Sequence, residues 1–125
     1  MSKNILFVDD DEDTLEYLEE VLESELQSDG FNFHTAQNLS SAINIIKSNE
    51  IDLVICDLIL VNEKGTDIFE MMNENDISPK PDTIFLSMAS SDMFDDWDAV
   101  KKAKAYFDKF NDFNAMLNWV KKRLD

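Results

Sequence analysis

Short apolar runs alternate with stretches in which apolar residues recur at three- and four-residue spacing. Residues 5–8, Ile-Leu-Phe-Val, read as a buried strand that ends against Asp9, Asp10 and Asp11. Leu15, Leu18, Val21, Leu22 and Leu26 then fall on one face of a helix with glutamates between them. Asp13 followed by Glu16 suggests a capping box opening that helix, and Gly30 a stop after it. Residues 31–35 read as a weak strand, and Ala42, Ile43, Ile45 and Ile46 as a second helix. Residues 51–56 are apolar almost throughout, as a strand covered on both faces must be. Ile68, Phe69, Met71 and Met72 predict a short helix, 83–86 a strand, and Met93, Phe94, Trp97 and Val100 a further helix. Residues 105–107 predict a fifth strand. Phe113, Met116, Leu117, Val120 and Leu124 predict a last helix, with Lys121, Lys122 and Arg123 at its C-terminal, dipole-favoured end.

Five strand–helix units in 125 residues predict one α/β domain, residues 1–125, with a doubly wound parallel sheet and helices on both faces. With 44% hydrophobic residues the chain can build a core despite a net charge of −16. That charge argues against nucleic acid and against an anionic membrane as partners. The single cysteine excludes an internal disulfide and a cysteine-rich zinc site. No apolar stretch approaches the about 20 residues a bilayer span needs, and no signal segment is visible, so a cytoplasmic protein is expected. The charge is uneven: residues 101–125 carry seven bases against three acids, whereas residues 1–30 carry eleven acids against Lys3.

In a doubly wound sheet, ligands sit beyond the carboxyl ends of the strands. The residues expected there are Asp9 and Asp10 after the first strand, Asp57 after the third, Ser87 after the fourth and Lys109 past the fifth. Three converging carboxylates repel by about 4 kcal/mol per pair at 4 Å and an effective dielectric of 20, so such a site recruits a cation or raises a pKa. Hard oxygen donors select Mg²⁺, or Mn²⁺, over zinc. A metal together with Lys109 would suit a phosphoryl group held on a carboxylate. Any one acid at a strand end is an ordinary helix cap; it is the joint placement on several strand ends that points to function. Asp57, which terminates an apolar strand, is the hardest to explain as a cap.

With those residues in place, the sequence resembles the receiver domain of two-component response regulators over essentially its whole length. Residues 5–11 are similar to the family's opening strand and acidic pair, and 53–57 to its phosphoacceptor strand. Gly65 stands where the family has a glycine, 84–87 resemble the strand ending in Ser or Thr, and 105–110 the strand with its aromatic switch residue and lysine. The resemblance implies a flavodoxin-like strand order 2-1-3-4-5. It implies that Asp57 takes a phosphoryl group from a histidine kinase or histidine phosphotransfer protein. It implies Mg²⁺ held by Asp10 directly, by Asp9 through water, by Asp57 and by the Ile59 carbonyl. Ser87 and Lys109 would contact phosphoryl oxygens, and Tyr106 would move with Ser87 to signal to a downstream protein target. The expectation is therefore a phosphoacceptor signalling domain and not a turnover enzyme, either stand-alone or part of a longer regulator.

The sequence departs from the family pattern at Val61, at Met88 after the serine, and at Phe110 after the lysine, where proline is usual. These departures motivate an alternative, a degenerate receiver that acts as a phosphorylation-independent interaction module. Ile59 and Ala89 offer no polar group to orient water, which predicts slow self-dephosphorylation. Two other readings are weaker. Asp9, Asp11, Asp13 and Glu20 match calcium-loop positions, but Thr14 stands where glycine is required. A haloacid-dehalogenase-type phosphatase would need an acid at Ile59. His34 and Cys56 read as structural, Trp119 as a candidate exposed residue, and Glu12, Glu16, Glu19, Glu20 and Glu23 as a solvated face.

Overall fold

In a computed structural model of the protein, which describes residues 3–26, 31–87, 100–109 and 112–124, the alternation resolves into a sheet between two helical layers. The strands are β1 (Lys3–Val8), β2 (Phe31–Ala36), β3 (Leu53–Cys56), β4 (Ile59–Leu60), β5 (Glu63–Lys64), β6 (Asp82–Ser87) and β7 (Ala105–Asp108). The helices among the described residues are α1 (Glu12–Leu26), α2 (Leu39–Ser48), α3 (Asp67–Glu74) and α4 (Phe113–Leu124). Five strands form one parallel sheet in the order β2-β1-β3-β6-β7, which is the expected 2-1-3-4-5 once the small β4–β5 hairpin is set aside. The helix expected over residues 93–100, with Met93, Phe94 and Trp97, lies outside the described residues apart from Val100, and so does the expected stop at Gly30.

Successive residues of a strand face opposite sides, and the central strands use both. Leu6, Val8, Val54, Cys56 and Phe85 pack under α2 and α3 against Leu39, Ala42, Ile43, Ile46, Ile68 and Met72. Ile5, Phe7, Leu53, Ile55, Ile84 and Leu86 pack under α1 and α4 against Leu15, Leu18, Leu22, Met116, Leu117 and Val120. Each fully buried side chain of this kind contributes about 1.5–3 kcal/mol, so the uninterrupted apolar runs are what two covered faces require.

Several expected boundaries shift. α1 is capped by Asp11, not by Asp13. The Asp11 carboxylate accepts from the Asp13 N–H at 3.1 Å and from the Thr14 hydroxyl at 2.9 Å, and its carbonyl accepts the Leu15 N–H. An aspartate two residues earlier satisfies one of the helix's orphan backbone donors, and the continuous helix through Glu20 excludes a calcium loop. β3 begins at Leu53 because Asp52 turns its carboxylate back to accept the Asn4 N–H at 2.8 Å. β2, β6 and β7 each run one residue further than expected at their ends. Trp119 is half-buried against the core under α4, not an exposed residue. Glu12, Glu16, Glu20 and Glu23 are exposed and Glu19 half-buried. His34 Nε2 reaches the Asn4 side-chain amide oxygen Oδ1 at 3.3 Å.

Candidate functional site

Strand register sets the site. Val8 pairs with Cys56 and with Ala36, so β1, β2 and β3 end level. The chain continues from there with Asp9, whose N–H bonds Ala36, and Asp57, whose N–H bonds Val8. Cys56 shares a row with Phe85 and Tyr106. Lys109 therefore lies three residues beyond that row and Asp57 only one, an offset of about 7 Å at 3.3 Å per residue. A side chain as long as lysine can reach back over that offset. The Lys109 Nζ sits 2.6 Å from Asp9 Oδ2 and 3.2 Å from Asp57 Oδ2. Ser87 closes β6 opposite Asp108.

The three carboxylates Asp9, Asp10 and Asp57 each offer an oxygen, and these oxygens lie within 4.8 Å of one another. Asp9 is 3% exposed, and Asp10 and Asp57 are half-buried. Each is oriented by a backbone N–H. Asp11 donates to Asp9 Oδ1 at 2.9 Å, Val61 to Asp10 Oδ2 at 2.8 Å and Ile59 to Asp57 Oδ1 at 3.2 Å. Burial raises the pKa of Asp57 and the Asp9 charge adds to this, against the opposing pull of Lys109 and the Ile59 N–H. Burial alone would lower Lys109, but its bond to Asp9 and the charges of Asp57 and Asp9 win, and its pKa is raised. The ammonium is thus firmly charged, yet one ammonium against three carboxylates leaves net negative charge. That surplus, on hard oxygen donors in a partly buried cleft, fits a divalent cation.

A model of the response regulator receiver domain matches residues 5–121. The chain belongs to the response regulator receiver family. Receiver domains are phosphoacceptor signalling domains of two-component systems, undergoing Mg²⁺-dependent aspartyl phosphorylation, rather than turnover enzymes. Solved structures agree. The response regulator protein TrrA from Thermotoga maritima, in complex with Mg²⁺–BeF, is 28% identical with a TM-score of 0.75, covering 97% of this chain and 98% of that one. The signal receiver domain of a DNA-binding response regulator from Colwellia psychrerythraea has the same fold, with a TM-score of 0.82 at 21% identity over 98% of each chain. A CheY-like receiver from Methylobacillus flagellatus gives 0.79 at 18% identity, covering 98% of this chain and 99% of that one. Among the described residues, no helix of this receiver is long and apolar enough to cross a membrane.

The structure brings Asp9, Asp10, Asp57 and Lys109 together, with the backbone of Ile59 beside them. Tyr106 is half-buried on β7 and packs against the core under α2 and α3. Burial, then the charges of Asp108 and Asp112, raises its pKa. Met88, Ala89 and Phe110 lie outside the described residues. Cys56 is fully buried, and burial lifts its thiol pKa well above the ordinary value, so it is packing. Sequence reasoning missed the β4–β5 hairpin, whose Ile59 and Val61 side chains are 51% and 69% exposed at the rim of the site. The available signal was Asn62, which takes the left-handed φ of 61° at the turn.

Proposed function

We propose that Asp57 is the phosphoacceptor of this receiver and that residues 1–125 act as one cytoplasmic phosphorylation-dependent signalling domain. The supporting observation is the bridge of Lys109 to both Asp9 and Asp57 beside a third carboxylate, Asp10. In this reading an Asp57 oxygen attacks the phosphorus of a phosphohistidine on a histidine kinase or phosphotransfer protein. The O–P bond forms as the P–N bond breaks, and the bonding pair leaves on the imidazole nitrogen. Lys109, already between the carboxylates, moves its charge onto a phosphoryl oxygen, and Ser87, at the end of β6, offers a hydroxyl to another. Asp9, Asp10, Asp57 and the Ile59 carbonyl would hold Mg²⁺, or Mn²⁺, which when bound supplies positive charge to the transferring group. Tyr106 would relay the change in Ser87 to the surface that meets a downstream protein target.

A cleft of about 610 Å³ opens beside Lys109, lined by Tyr17, Leu18, Leu86 and Phe113 with Asp11 and Asp13 at its side. Its mixed apolar and acidic lining suits a protein donor with basic groups around its histidine. The test is intact mass after incubation with Mg²⁺ and acetyl phosphate. One phosphoryl adduct on the native chain, absent from Asp57→Ala and from a metal-free sample, is expected. An adduct that persists in Asp57→Ala would place the acceptor elsewhere. No adduct, with no shift in melting temperature on adding Mg²⁺, would favour the degenerate interaction module.

A further inference from the structure

The hairpin that follows Asp57 has only two residue pairs, Ile59 with Lys64 and Leu60 with Glu63. A two-stranded ribbon of that size does not hold its own shape, yet it carries two groups the site depends on. One is the backbone of Ile59. The other is the Val61 N–H, which donates to Asp10 at 2.8 Å. Something must fix the ribbon relative to the sheet. Leu60 is buried and pins its inner face. The second anchor is Glu63, whose Oε1 accepts the N–H of Leu39, the first residue of α2, at 2.8 Å.

α2 does not need Glu63 as its cap. Asn38 already fills that role, accepting the Ser41 N–H at 2.8 Å in extended backbone geometry. Glu63 uses a different orphan donor at the positive end of the helix, where a carboxylate is held most firmly. A continuous path results: α2, Glu63, the hairpin, the Val61 N–H and the Asp10 carboxylate. We propose that Glu63 is a positioning residue for divalent-cation binding, fixing the hairpin so that Asp10 and the Ile59 carbonyl are presented together. This inference rests on the Mg²⁺-dependent phosphoacceptor reading of the same site.

The test is calorimetric titration of the full chain with MgCl₂, with melting temperature recorded for each variant. Partners one step removed from metal ligands are worth about 10- to 100-fold in affinity, and Glu63→Ala is expected to raise the Mg²⁺ Kd by about tenfold. Glu63→Gln keeps an oxygen that accepts from Leu39 and is expected to stay within about threefold of the native Kd. Asn38→Ala weakens the same helix end without touching the hairpin. It is expected to lower the melting temperature while leaving the Kd unchanged. An unchanged Kd in Glu63→Ala would overturn the inference. So would equal weakening in Glu63→Gln, which would make charge and not the bond the cause. Equal weakening in Asn38→Ala would overturn it too, by tracing the effect to helix stability. Failure of the native chain to bind Mg²⁺ at all would instead overturn the phosphoacceptor reading of the site, and it is seen in the first titration of the same series.

Discussion

The surroundings of Asp57 resist a charge on it. Its pKa is raised by burial first, with Lys109 and the Ile59 N–H pulling the other way and losing. Lys109 makes its shorter contact with Asp9, so neutralising Asp57 leaves the ammonium paired. Asp57→Asn is therefore expected to stabilise the metal-free protein at neutral pH. The sign follows from linkage. Below the unfolded carboxyl's pKa of about 3.9, Asp57 is protonated in both states and contributes its full relative stability. As pH rises through the raised folded value, that contribution is lost. The advantage of asparagine should appear above about pH 4 and level off once Asp57 is fully ionised. Urea denaturation of both proteins without Mg²⁺ across this range checks it; a less stable asparagine variant at neutral pH would mean that the lysine outweighs burial. Thr83 offers a second residue-scale case. Its hydroxyl is buried in β6 without a hydrogen-bond partner among the described residues. Thr83→Val keeps the shape and removes a desolvated polar group, so it should be neutral or stabilising by about 1 kcal/mol. A clear loss in the urea midpoint would show that the hydroxyl is satisfied.

Gly65 governs how the hairpin hands over to α3. A Cβ there would sit 2.1 Å from the Asp57 carbonyl oxygen and 2.9 Å from the Leu58 Cα, both backbone atoms that cannot step aside. The Gly65 N–H also closes the hairpin onto the Leu58 carbonyl at 2.7 Å. Gly65→Ala should cost about 2–4 kcal/mol as an overpacked backbone contact, and it should slow acetyl-phosphate labelling of the folded fraction because Asp57 is displaced directly. Unimpaired labelling at native stability would show that the loop relaxes freely. The same loop marks where sequence reading stops. α4 was legible to the residue, because Phe113, Met116, Leu117 and Val120 keep one period on one face. The ends of β1 and β3 were legible because Asp9 and Asp57 interrupt apolar runs, and those interruptions are the site. The hairpin was not legible, since strands of two residues have no period. It is held by Val61 to Asp10 and Glu63 to Leu39, bonds that span 51 and 24 positions of chain. The cap of α1 was misplaced for a related reason: Asp11 and Asp13 both suit an N-cap, and only the path out of β1 decides between them.

Across the whole molecule, charge and site pull on stability together. The net charge is −16 even with the three bases of α4 counted. Lys121 reaches Glu25 of α1 at 3.0 Å and Arg123 binds Asp82 at the start of β6. Partly exposed pairs of this kind are worth little, typically under about 1 kcal/mol. Diffuse repulsion therefore remains, and it is screened by any salt; the Asp9–Asp10–Asp57 cluster is a local case that a bound divalent cation relieves far more strongly. The two effects separate by experiment. Raising NaCl should raise the melting temperature of the native chain and of Asp10→Asn alike, because screening within a Debye length of about 10 Å at 0.1 M does not depend on one carboxylate. Replacing part of the NaCl with MgCl₂ at constant ionic strength should then raise the native chain alone. At 100 times the Kd the expected gain is about 2.7 kcal/mol. An equal response of Asp10→Asn to MgCl₂ would show that the cation acts on the general field of the surface and not in the cleft beside Asp57.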